Sequence, residues 1–74
     1  MYTEDKVKAK EFLIDHYYDK VIRDTLEKID NSAYMHSDRW SIVYDMLLDN
    51  YPEYRSLTTG IVYLVEDGEL NNLT

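Results

Sequence analysis

Cysteine is absent from these 74 residues, which excludes a disulfide framework and thiolate zinc sites and leaves the fold to its apolar core or to association with another chain. Glutamine is absent as well. Proline occurs once, at Pro52, and glycine twice, at Gly60 and Gly68, so a Gly-rich phosphate loop cannot be assembled and no residue of this kind interrupts a helix before position 52. With two histidines, neither set in a recognisable motif, no catalytic triad is legible. No run approaches the 18 apolar residues that a membrane-spanning helix needs, and Met1 to Lys10 lacks the apolar stretch of a signal peptide. A soluble cytoplasmic protein is expected.

What is present is acid and tyrosine. Fifteen Asp and Glu stand against eight Lys and Arg, a net charge of -7. Such a balance disfavours direct nucleic-acid binding, which needs clustered bases to neutralise phosphates, and favours a cationic partner. Residues 1–29 hold seven acids against six bases, whereas residues 30–74 hold eight acids against Arg39 and Arg55 alone. The length fits one domain, 1–74, that buries only about 60 % of its unfolded surface, so a deep substrate cleft is not expected.

Thr3 followed by Glu4 and Asp5 reads as a helix start, and the first helix is expected from Glu4 to Ile29. Its apolar positions form two stripes. Ala9, Phe12, Leu13, His16 and Tyr17 share one face at 100° per residue, and Ile14, Tyr18, Val21, Ile22, Thr25 and Ile29 share a nearly opposite one. Either the helix breaks near Tyr17 and Tyr18 or it is buried on both sides. Unbroken, it would be about 39 Å long, beyond the roughly 30 Å width of a globule of this length. A homodimer covering the second face through Ile22 and Ile29 is the expectation from the unbroken alternative.

Ser37 is expected to cap a second helix that ends near Asn50. Trp40, Val43, Tyr44, Met46, Leu47 and Tyr51 fall on one side of it, with Asp38, Ser41, Asp45 and Asp49 on the other. Pro52 suits the first turn of a third helix, in which Tyr54, Leu57, Ile61, Leu64 and Val65 repeat at helical spacing up to Gly68. Gly60 weakens that helix by about 1 kcal/mol. In the alternative, Ile61 to Val65 is a strand that turns at Asp67-Gly68. The class expected is all-α, a small bundle of about three helices, with a C-terminal hairpin as the alternative. The tail Asn71 to Thr74 is expected to fray.

Candidate chemistry is sparse. His16 and Asp19, one turn apart, lack the second histidine of a metal pair, and an ordinary hydrogen-bonded histidine is the simpler account. His36 is expected to be exposed. Asp45 and Asp49 lie at i and i+4 on a solvated side, unlike a general acid in a dry cleft. The acids around Gly68 lack calcium-loop spacing. No enzyme activity, metal or cofactor is expected.

Two features remain. Eight tyrosines exceed what so small a core can bury; Tyr17, Tyr44 and Tyr54 are expected inside, and tyrosine is over-represented at interfaces. Glu11, Asp15 and Asp19 step along the first helix, and Asp38, Asp45 and Asp49 along the second. Two such rows can imitate part of the charge field of duplex DNA, which carries one negative charge per 1.7 Å of axis.

The acid rows, the surplus tyrosines, the absence of catalytic motifs and the run SDRWSIVYDMLLDNYPEYR from Ser37 to Arg55 together resemble small phage-encoded proteins that disable host DNA-handling machinery by mimicking DNA. The resemblance is strongest to the staphylococcal-phage inhibitors of the replicase sliding clamp. It implies a homodimer in the bacterial cytoplasm, seated in the positively charged channel through which the clamp encloses DNA. Ordinary clamp partners insert a peptide beginning with Gln into an apolar pocket, and this chain has no Gln. Contact in the channel would therefore be electrostatic, through Asp38, Asp45 and Asp49 first and Glu11, Asp15 and Asp19 next, with Tyr51 and Tyr54 anchoring the edge.

Overall fold

The computed structural model describes residues 2–30 and 34–70. The described residues are helical almost throughout and contain no strand: α1 is Tyr2–Asp15, α2 Lys20–Asp30, α3 His36–Asn50 and α4 Thr58–Glu66, with a 3-10 turn at Pro52–Leu57 before α4. The class is all-α, with the helical alternative holding over 58–66 and the hairpin excluded there. The expected tail at 71–74 lies outside the described residues.

The long first helix breaks where its apolar stripe changes sides. After α1 the chain turns at His16–Tyr18, the Asp19 amide donating to the His16 carbonyl at 3.0 Å. Asp19 then caps α2: its carboxylate accepts the Val21 amide at 2.9 Å and its carbonyl accepts the Arg23 amide at 3.1 Å. The break allows both stripes to face one core. Ala9, Phe12 and Leu13 of α1 and Ile22, Leu26 and Ile29 of α2 are all buried within a single chain. Ile22 and Ile29, expected at a dimer interface, are 1 % and 0 % exposed and do not reach the surface. The unbroken helix that called for a second copy does not form, and the chain measures 27 × 25 × 23 Å with a radius of gyration of 10.8 Å.

α4 is the central element. Thr58, Gly60, Ile61, Val62, Leu64 and Val65 are buried, so this helix is apolar on nearly all sides, as one surrounded by others must be. α1 packs principally on α4, and α3 on α4, the 3-10 turn and α2. The approach of α1 requires glycine at position 60, where a Cβ would stand 2.3 Å from the Asp5 carbonyl oxygen and 2.9 Å from the Ala9 Cβ. The residue that weakens α4 by propensity is the one that admits α1.

Just beyond the end of α4 at Glu66, Gly68 has φ 70°, with the Gly68 amide bonded to Val65 O at 3.2 Å and the Glu69 amide to Leu64 O at 3.0 Å. This is a Schellman stop. Ion pairs of Lys6 and Arg39 and a hydrogen bond of His36 tie that end to its neighbours. Lys6 Nζ lies 2.7 Å from Asp67 and 2.5 Å from Glu69, and His36 Nδ1 lies 2.9 Å from Glu66, with Arg39 Nη1 at 3.5 Å. α3 begins earlier than its serine suggests. Met35 is the N-cap, without a side-chain bond, and its carbonyl receives the Asp38 and Arg39 amides at 3.0 Å each, leaving Ser37 inside the first turn.

Candidate acidic interaction surface

The fold sorts the acids into two groups. Asp24, Glu66, Asp67 and Glu69 are paired with bases, the last three where α4 ends. Glu11, Asp15, Asp38, Asp45 and Asp49 are exposed and make no ion pair or side-chain hydrogen bond among the described residues. Other exposed acids, Glu27, Asp30 and Glu53 among them, are likewise unpaired. The α3 row differs in being uninterrupted by charge of the other sign. From Trp40 to Tyr54 the chain carries Asp45, Asp49 and Glu53 and no base, and Arg39 is directed to Glu66. On α1, by contrast, Lys8 is exposed and Lys10 only partly covered, close in sequence to Glu11.

α3 holds its row outward because Val43, Met46 and Leu47 hold its inner side in the core. Asp38 and Asp45 are about 10.5 Å apart along the axis, and Asp45 and Asp49 about 6 Å. A duplex strand presents about five phosphates over the same 16.5 Å or so. The α3 row alone reproduces rather more than half of one strand's charge.

Asp19 does not belong with the free acids. Besides capping α2, it accepts a short hydrogen bond from the Tyr51 hydroxyl. The Tyr51 bond and then the Val21 amide hold its carboxyl below the usual 3.8, and the same carboxylate pushes the Tyr51 phenol up to about 12. Asp19 therefore joins α2 to the end of α3, and its partial burial removes it from the expected row. The local signal was an acid two residues before the run Val21, Ile22, Leu26 and Ile29, which is the pattern of a capped helix start.

Tyr51 is likewise a strut. Its ring lies edge-on to Phe12 at 5.4 Å and to His16 at 4.9 Å. His16 stacks on Phe12 at 4.4 Å, and its Nδ1 is 2.9 Å from the Phe12 carbonyl, an ordinary structural histidine. Among the described residues no group of three or more His, Asp or Glu could hold a metal ion. Tyr54 packs on Phe12 at 4.7 Å yet is 37 % exposed. Expected inside, it sits at the rim, as does Tyr17 at 45 %, which the turn between α1 and α2 carries outward. Tyr44 is half-buried.

One arrangement on α3 was not anticipated. Trp40 and Tyr44 stack nearly parallel, with ring centroids 4.9 Å apart and planes inclined by 10°, and the Trp40 indole N–H donates to Thr59 Oγ1 at 3.3 Å. Helical spacing places both aromatics on the inner side of α3, yet Trp40 is 36 % exposed. The i, i+4 spacing was the available signal.

No helix among the described residues is long and apolar enough to cross a membrane. No family model, curated protein or solved structure matches this chain.

Proposed function

We propose that the chain is a DNA-mimicking inhibitor that occupies the basic DNA-sliding channel of the bacterial replicase sliding clamp and blocks host DNA replication. The observation that carries this reading is the row Asp38, Asp45 and Asp49, which is exposed and, among the described residues, unpaired and without an intervening exposed base. Unpaired acids of one sign gain more from an external cation than acids already paired within the chain, because no internal bond is given up. The choice of the clamp rests on the resemblance of the run from Ser37 to Arg55. The alternative target is another host DNA-binding protein, such as a restriction or defence enzyme.

The charge deficit of a single α3 row favours two copies acting together, or one α3 row acting with Glu11 and Asp15. Pairing of copies would use exposed apolar residues, of which Val7 and Ile14, two turns apart on α1, and Tyr18 are 53 %, 49 % and 79 % exposed. Activity of this kind needs no catalytic group, and the proposed place of action is the bacterial cytoplasm. Displacement of duplex DNA from purified clamp by the protein tests the proposal; capture of clamp and DNA together, without competition, contradicts it.

A further inference from the structure

We infer that the stacked Trp40–Tyr44 pair is a seat for arginine side chains of the basic partner, an inference that rests on the reading of the α3 face as the binding surface. Trp40, Tyr44 and Leu48 occupy successive turns of α3, and Ser41 separates them from the row of Asp38, Asp45 and Asp49 around the same helix. The apolar strip is open: Trp40 is 36 % and Leu48 44 % exposed. Among the described residues no cation occupies it: the neighbouring Arg39 is engaged by Glu66, and neither ring has a charged partner. The pair is also fixed in advance, Trp40 by its bond to Thr59 of α4 and Tyr44 by its stacking on Trp40.

A rigid aromatic surface on the same helix as a row of unpaired carboxylates, with Ser41 between them, fits one kind of cation better than the other. Guanidinium is planar and weakly hydrated, so it stacks on an aromatic face while its N–H groups reach a carboxylate. Lysine ammonium is a compact, strongly hydrated charge that is satisfied by carboxylates alone. The acidic row attracts both; the Trp40–Tyr44 pair discriminates in favour of arginine. The partner surface that meets α3 is therefore one that presents arginine.

The only tryptophan of the chain reports on the seat directly. The intact protein is titrated with oligoarginine and oligolysine peptides of equal length, following Trp40 emission and, separately, heat of binding. Oligoarginine is expected to change Trp40 emission and to bind about two- to fivefold more tightly than oligolysine, the effect of one surface cation–π contact. Trp40→Leu and Tyr44→Leu, each checked for retained helicity, should bring the two peptides to equal affinity while salt-sensitive binding persists. Equal affinities in the unaltered protein with unchanged Trp40 emission would overturn the inference, as would an arginine preference that survives both substitutions. If binding of both peptides is lost on Asp45→Lys with Asp49→Lys, the acidic face stands whatever the fate of the arginine seat. Failure of both peptides to bind the unaltered protein at low salt would remove the face and the seat together.

Discussion

Asp19 and Tyr51 are 32 residues apart and share one hydrogen bond. At the residue scale that bond has a defined pH window. The Asp19 carboxyl is held below its usual value, so the stability it contributes is present above that value and is lost as pH falls through its depressed titration in the folded chain. The Tyr51 phenol is raised from 10 to about 12, so its contribution is complete below pH 10 and is lost as pH rises towards 12. Asp19→Ala and Tyr51→Phe should each lower the urea midpoint at neutral pH, and the double variant should lose less than the sum of the two. Additive losses in that cycle would show that the two side chains do not act together. Exposed acids such as Asp45 should change the midpoint little, since surface substitutions usually shift stability by under about 0.5 kcal/mol.

Among the elements, α4 sets the geometry of the rest, and its tightest contact is Gly60 against Asp5 and Ala9. Gly60→Ala would gain about 1 kcal/mol in helix propensity and lose about 1 to 3 kcal/mol to overpacking, because the clashing atom is a backbone oxygen that cannot swing aside. Net destabilisation by chemical denaturation is expected; a more stable variant would mean that α1 and α4 are not so close. Elements generated by short-range periodicity were legible in the sequence. The change of stripe at Tyr17 and Tyr18 offered the break as one of two alternatives, without choosing it over the unbroken helix, and the alternation of Val43, Met46 and Leu47 with Asp38, Asp45 and Asp49 gave the orientation of α3. What was not legible depends on residues distant in the chain. The Asp19–Tyr51 bond, the Lys6 pairs with Asp67 and Glu69, and the need for glycine opposite Asp5 arise only once helices meet. Tyr54, counted as core by its helical spacing, reached the rim because a 3-10 turn occupies Pro52–Leu57.

For the whole molecule, marginal stability and net charge are the governing quantities. A domain of this length is stable by about 4 to 11 kcal/mol, and an unpaired charge at a buried site costs several kcal/mol. Ile22→Lys should therefore unfold the chain and not simply dissociate it, as judged by loss of helical circular dichroism at every protein concentration. A folded monomer with this substitution would return Ile22 to an interface. Association of two copies, if mediated by α1, should respond instead to Val7→Asp with Ile14→Asp, which leaves the core untouched and would convert a dimer mass in light scattering to that of a single chain.

At the same scale the central claim concerns the field of the acidic face. The most direct measurement is affinity for purified replicase sliding clamp across a salt series, made with the unaltered protein and with Asp45→Lys combined with Asp49→Lys. Exposed charges are screened over about 8 Å at physiological ionic strength, so affinity should fall steeply as salt rises. The double reversal should abolish binding while circular dichroism remains that of the folded protein. Tight binding that is indifferent both to salt and to the reversal would contradict the account.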